Sequence, residues 1–328
     1  MRPLLHPALV NGRTGDPALY IETLFERRAL QFDLGDIAAL SPRKVQRLDH
    51  IFVSHTHIDH FIGFDRLLRL LVGREKTVSL YGPAGFIDQV AHKLAGYRWN
   101  LVERYAVDLV FAVTEIAEGG ARRRARFRFK RAFAREDLAP GRIDDGVVYR
   151  EPTFHVSVAV LDHRGPCLAF AVAEAAHVNV WKNRLAARGL AVGPWLRTLK
   201  QAVLAEEADD FAVAADDGTR IPLGDLRGLV SVTAGQKVAY VTDVSDTAAN
   251  RARIVALARD ADILFIEAAF AAADTALAAD RGHLTTTSAG RIARAANVRR
   301  VEPFHFSPRY SGREEAMIAE VKAAFAGS

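Results

Sequence analysis

Seven consecutive residues, Ser54-His55-Thr56-His57-Ile58-Asp59-His60, bring three imidazoles and a carboxylate to the end of an apolar run. Confined to a turn, His55 and His57 can reach one metal ion while Asp59 and His60 point at a second beside it. Imidazole and carboxylate at this density suit zinc, with manganese or iron as substitutes. A solvent-exposed polar turn is the competing reading. The chain has one cysteine, Cys167, so an intramolecular disulfide and a thiolate-rich site are both excluded. Ligands must come from histidines and carboxylates, and the low cysteine usage favours a reducing, cytoplasmic compartment.

Such side chains need strand ends to hold them. Apolar runs over 18–24 and 29–34 read as paired strands, the second stopped by Asp33-Leu34-Gly35-Asp36. The run 49–54 is a further strand. Phe61, Phe64, Leu67, Leu68 and Leu71 recur at helical spacing with Arg66 and Arg69 opposite, which predicts a helix over 61–72. The cluster of imidazoles therefore falls in a strand-to-helix turn. Residues 77–81 read as a strand, and Pro83 can open the helix after it. Strands are predicted over 109–116, 124–133, 153–161 and 167–172. After Val178 the pattern lapses into an amphipathic segment, Gly193-Pro194, an acidic run and Asp216-Asp217-Gly218, and reads as an insertion. Alternation resumes at Lys237, with strands over 238–241, 263–266 and 301–304 and helices between and after. Two strand-rich halves, each finished by helices, predict two sheets packed face to face with helices outside. No repeat at a solenoid period is present.

His55-Thr56-His57-Ile58-Asp59-His60 resembles the His-x-His-x-Asp-His signature of the metallo-β-lactamase superfamily. The resemblance implies an α/β chain with an αββα four-layer sandwich, here one domain over 1–328. It continues in the family's order. Leu161-Asp162-His163-Arg164 resembles the third motif, so His163 would complete a first zinc site with His55 and His57. Asp243, at the end of Tyr240-Val241-Thr242-Asp243, stands where the family has its bridging aspartate. Phe304-His305-Phe306-Ser307-Pro308-Arg309-Tyr310 resembles the final motif and would place His305 in a second site with Asp59 and His60. The implied cofactor is two Zn2+ per chain, with Asp59 serving catalysis as well as binding.

Two further features resemble the ribonuclease Z family within that superfamily. Ile266-Glu267-Ala268-Ala269-Phe270 and His283-Leu284-Thr285-Thr286 are similar to its paired Glu and His motifs. The implied chemistry is that His283, kept protonated by Glu267, gives a proton to a departing 3′ oxygen. Without the family, His283 would N-cap or flank the helix from Thr285, and Glu267 would be a capping or paired carboxylate. The second feature is the segment 189–200, which resembles the Gly-Pro part of a tRNA-binding arm. An arm inserted over 178–227 would then grip phosphates through Gly193, Pro194, Arg197 and Lys200; otherwise Gly193-Pro194 is only a turn and Trp195 only local packing. The resemblance implies a zinc-dependent phosphodiesterase that removes the 3′ trailer of precursor tRNA and works as a cytoplasmic homodimer. Departures lie at the start, Val10-Asn11-Gly12-Arg13-Thr14-Gly15-Asp16, which lacks the family's glycine-rich opening, and at Thr242, Ala269 and Arg197.

Composition bounds the rest. The chain has 328 residues, half of them hydrophobic, and a formal charge of +5, enough for a large core and favourable to a polyanionic partner. An arginine-rich coding bias would produce the same charge. Residues 122–131 alternate cation and aromatic at strand period, predicting a basic face opposite buried Phe127 and Phe129. That face could track RNA phosphates or discourage edge pairing. No apolar stretch reaches transmembrane length, and residues 1–16 do not read as a signal peptide. His6, His50, His92, His155 and His177 carry no assignment. The rivals are a hydrolase of the same fold acting on a small ester, lactone, sulfate or phosphodiester, and an RNA-binding protein whose metal site is structural.

Overall fold

The computed structural model describes residues 4–24 and 28–327, so residues 1–3 of the N-terminal stretch lie outside the described residues. Period-two alternation sets the layers. Ile51 and Val53 join one apolar cluster while Phe52 joins another, because successive side chains of a strand face opposite ways.

Eight strands form a mixed sheet in chain order: Leu5–Leu9, Leu19–Thr23, Ala29–Phe32, Leu48–Phe52, Lys76–Pro83, Leu109–Ile116, Ala121–Arg128 and Arg135–Arg142. Its centre, from Ala29–Phe32 to Leu109–Ile116, is parallel. A six-stranded sheet runs Val301–Phe304, Ile263–Glu267, Lys237–Val241, Pro166–Glu174, Phe154–Asp162 and Val147–Arg150, its first three strands parallel. Phe32, Phe52 and Tyr81 of the first sheet and Phe170, Tyr240, Phe265 and Phe304 of the second share one buried cluster. Phe52 stacks on Tyr81 at 4.6 Å and on Phe32 at 5.1 Å, so aromatic area holds the sheets together.

Helices close both outer faces. Phe64–Leu71 and Phe86–Ala95 bury Leu67, Leu71, Ile87 and Val90 against the first sheet. Ala248–Ala258, Thr286–Ala295 and Glu314–Ala326 bury Ile254, Ile292 and Val321 against the second. Three apolar clusters between helix, sheet, sheet and helix make the four-layer αββα sandwich. No helix among the described residues is long and apolar enough to cross a membrane.

The chain divides into two compact units, the sandwich and the segment Glu174–Gly235. The expected arm 178–227 falls within the second unit. That unit has its own core, with Trp195, Leu199, Val213, Leu223 and Leu226 buried together. It includes an antiparallel pair, His177–Val180 with Val230–Thr233, in which Val180 pairs with Val230.

Three local expectations need correction. Pro83 ends the strand Lys76–Pro83, and the next helix begins at Phe86 behind Gly85, whose φ is +93°. The strand expected over 124–133 is Ala121–Arg128, followed by a 3-10 turn at Phe129–Arg131; Phe127 and Phe129 are buried as anticipated. Strands Arg135–Arg142 and Val147–Arg150 were not anticipated, since neither carries a buried apolar row.

The helix expected over 61–72 is two helices, Ile58–Phe61 and Phe64–Leu71. Gly63 breaks it by lying against the turn after Ala29–Phe32: its N–H donates to Leu34 O at 2.9 Å, and Leu34 N–H donates to His60 O at 2.9 Å. A Cβ on Gly63 would sit 2.2 Å from Gly35 O. Backbone must then shift, and overpacking of this kind costs about 1–3 kcal/mol. Gly63→Ala should accordingly lower the melting temperature; an unchanged thermal transition would refute this account of the break.

Candidate metal centre

Each expected ligand leaves the C-terminal end of a strand, the end at which open parallel sheets place their sites. His55 follows Leu48–Phe52, and Asp59 and His60 ride the short helix Ile58–Phe61. His163 follows Phe154–Asp162, Asp243 follows Lys237–Val241, and His305 follows Val301–Phe304. The structure brings all seven together. His55, His57, His163 and Asp243 form one set with mutual ligand spacing, and Asp59, His60 and His305 form another. Asp243 lies between them. Its Oδ2 is 3.7 Å from His55 Nε2, 3.6 Å from His163 Nε2 and 3.5 Å from His60 Nε2, and its Oδ1 is 2.8 Å from His305 Nδ1.

The opposite ring nitrogens are tied back, which turns the free ones inward. His60 Nδ1 is 2.9 Å from Asp33 Oδ2, His163 Nδ1 is 2.8 Å from Gly282 O, and His55 Nδ1 is 3.0 Å from Ser54 Oγ. Outer partners of this kind fix the rings of metal-binding histidines. Asp33 was read from the sequence only as a turn residue. It is fully buried, accepts from Ser54 N–H, Ser54 Oγ–H and Tyr240 O–H, and has φ +55°. Its only sequence signal is a carboxylate ending a strand parallel and adjacent to the one that leads into His55.

Whether these residues fit metal ions can be judged from their unpartnered atoms. His55 Nε2, His60 Nε2 and His305 Nδ1 are buried without a well-directed hydrogen bond among the described residues, a costly state unless something else occupies their lone pairs. The donor set of nitrogens and carboxylate oxygens is one that zinc accepts. The residues fit.

Electrostatics say the same. Burial, reinforced by the neighbouring His60, pushes His55 down to about 2. Burial alone would lower His305, but Asp243 beside it raises it to about 10. His60 behaves likewise: burial opposes its charge, and Asp243 and Asp33 lift it well above the usual imidazole value. Burial would raise Asp59, yet its hydrogen bond with His305 and the nearby His60 ring hold it below the ordinary carboxylate range. Protons on His60 and His305 thus balance the carboxylates where a cation would.

Glu267 ends its strand fully buried, accepting from Val244 N–H at 2.8 Å. Both its oxygens lie 3.2 Å from His283 Nδ1. Burial pulls the His283 pKa down and the Glu267 charge more than restores it, so the net shift is upward. Neither residue caps the following helix: Thr285 does, accepting from Ser288 N–H. His283 and both ligand sets open on one cavity of about 790 Å³, together with Arg281 and Arg309. His283 also has ligand spacing to Asp243 and His305.

The second unit holds the remaining expected residues. Arg197 and Lys200 stand one turn apart on the helix Trp195–Leu204 and line an open cleft with Gly193, Pro194 and Lys182. A Cβ on Gly193 would fall 1.6 Å from Asp216 Oδ2, so a larger residue there would have to displace the Asp216 side chain, which accepts from Trp195 N–H at 3.2 Å. Trp195 is buried and serves the core of the unit.

Asp243 raises both His60 and His305 and so favours their protonated forms, which an ion would have to displace. Calorimetric titration of the metal-free protein with Zn2+ at pH 7 should therefore release protons, seen as an enthalpy that varies with buffer ionisation. Affinity should fall as pH is lowered. Uptake without proton release would contradict the charge balance described above.

A family model described as a beta-lactamase superfamily domain matches residues 19–142 and 202–306. The ribonuclease Z of Deinococcus radiodurans is 32% identical over 315 residues, covering 94% of this chain and 91% of its own. That of Geobacillus kaustophilus is 32% identical over 317 residues, with 93% and 87% covered. Among solved structures, the short form of human tRNase Z superposes with a TM-score of 0.56 at 19% identity, covering 94% of this chain and 92% of that one. YhfI of Bacillus subtilis, a metallo-β-lactamase fold protein, gives 0.55 at 18% identity with 98% and 94% covered. Fold, motif order and relatives coincide, and the chain belongs to the metallo-β-lactamase superfamily and, within it, to the ribonuclease Z family of metal-dependent hydrolases.

Proposed function

We propose that the protein is a zinc-dependent phosphodiesterase that removes the 3′ trailer from precursor tRNA. The observation that carries this reading is the meeting of two ligand sets at Asp243 in one cavity with His283, itself held by Glu267. His55, His57 and His163 would hold one ion, Asp59, His60 and His305 the other, with Asp243 shared. Bound there, the ions would act as Lewis acids on a phosphodiester oxygen and lower the pKa of the attacking water.

The chain's own residues supply the rest. Glu267 fixes His283 through Nδ1, which leaves Nε2 as the atom that can give a proton to the leaving 3′ oxygen. Arg281 and Arg309 put positive charge on the wall of the same cavity, suited to a polyanionic substrate. Arg197 and Lys200 would take phosphates of the tRNA body on the second unit.

His283→Ala should lower kcat by about 10²- to 10⁴-fold while leaving metal content near that of the parent; metal lost in proportion to activity would make His283 a ligand instead. The pH profile gives the sign. An acid whose pKa is raised is active below that pKa and fails as pH rises through it. Glu267→Gln removes the charge that raises it, so the alkaline limb should move to lower pH.

Replacing residues 181–229 by Asn-Gly would close the hairpin between Val180 and Val230 with a turn suited to it. This variant should cleave precursor tRNA far more slowly yet hydrolyse a small aryl phosphodiester almost as well as the full chain. Neutralising Arg197 and Lys200 together should flatten the salt dependence of RNA binding. Equal loss on both substrates in a folded variant would favour the small-substrate hydrolase.

A further inference from the structure

The loop from Val10 to Pro17 joins the first two strands of the eight-stranded sheet and lacks the glycine-rich opening of the family. It binds the chain on both sides of His305. The Arg13 guanidinium donates to the Pro303 carbonyl and pairs with Glu302, and the Arg13 carbonyl accepts from Phe306 N–H at 2.9 Å. Between these anchors His305 has φ +57°. That left-handed conformation costs a residue with a Cβ energy and persists only where the surroundings impose it.

The far end of the same loop supports Asp59. Asn11 Nδ2 donates to the carbonyls of Asp16 and Asp36 at 2.8 and 2.7 Å, and Asp36 N–H donates to Asp16 Oδ2 at 3.1 Å. Gly35 N–H donates to Pro17 O at 3.1 Å. Gly35 in turn lies so close to the helix of Asp59 that a Cβ would come 2.6 Å from Asp59 O. One loop therefore braces two members of a single ligand set. None of these bonds reaches the backbone of His55, His57 or His163.

We propose that Arg13 is a positioning residue for the set Asp59, His60 and His305, holding the left-handed turn that aims His305, and that the set His55, His57 and His163 does not depend on it. The proposal rests on the two-ion reading of the centre. Arginine suits the task because its planar fork reaches a carbonyl and a carboxylate at once, which an ammonium point charge does less well.

The test is a competition titration of metal-free protein with Zn2+ against a chromophoric chelator, with melting curves recorded alongside. The parent chain should bind two equivalents. Arg13→Ala should weaken one of them by about tenfold to hundredfold, the range seen when an outer partner of a metal site is lost, and leave the other unchanged. Arg13→Lys and Glu302→Gln, each keeping part of the brace, should fall between. Two unchanged constants with a lowered melting temperature would make Arg13 a staple between sheets and overturn the proposal, as would equal weakening of both. If Arg13→Ala does not fold, unchanged constants in both milder variants overturn it. A parent chain that binds only one equivalent sinks the two-ion reading itself, visibly so before any variant is compared, and the proposal with it.

Discussion

A carboxylate as deeply buried as Asp243 cannot stand in a protein interior without positive charge beside it. Four imidazoles surround it, and two of them, His60 and His305, are raised enough to supply that charge as protons. Much of the architecture follows from this one requirement. The ligands arrive from both sheets, so the sheets must be packed face to face and must end at the same level. The aromatic layer of Phe32, Phe52, Phe170 and Tyr240 does this, and Tyr240 also reaches Asp33 through its hydroxyl. Packing and polar scaffold are thus joined in one side chain.

Asp33 extends the same logic one step outward. Its carboxylate receives four donors, one of them His60 Nδ1. An apolar residue there would leave those donors without an acceptor and remove the partner that orients the ring of His60. Orientation of an imidazole is a property of the partner on its other nitrogen. In this centre the partners are a carboxylate for His60, a main-chain carbonyl for His163 and a hydroxyl for His55, each delivered by a different element.

How legible this was in the sequence depends on the range of the interaction. Strands with a buried apolar row, such as 109–116 and 301–304, were placed to the residue, because alternation is a local signal. The ligand cluster at 55–60 was legible for the same reason, since four of its members lie within one turn. His163, Asp243 and His305 carried no local signal beyond a polar residue at a strand end; only the order of motifs in a known family singled them out. The contacts of Asp33 and Arg13 were not legible, because their partners lie 27 and 290 residues away. The break at Gly63 was hidden likewise, for it depends on a carbonyl of another segment and not on helix propensity.

Apart from Arg197, which lies on the second unit, the departures from the family's usual residues sit where the structure gives them local work. Thr242 stands in place of glycine before Asp243, and its Oγ1 lies 3.1 Å from Asp243 Oδ1, adding a donor to a carboxylate that needs donors. Ala269 lacks the hydroxyl that threonine would bring, but its N–H lies 3.4 Å from Glu267 Oε2 and its carbonyl accepts from Ser307 N–H at 3.0 Å, so the backbone at this position still links the Glu267 carboxylate to the turn beyond His305. The opening, which lacks the family's glycine-rich run, carries Asn11, Arg13 and Asp16, whose side chains bond across to the segments that bear Asp59 and His305. All three changes surround the ligand sets without altering a ligand. Thr14, Gly15 and Asp16 of that opening also line the cavity into which His283 faces.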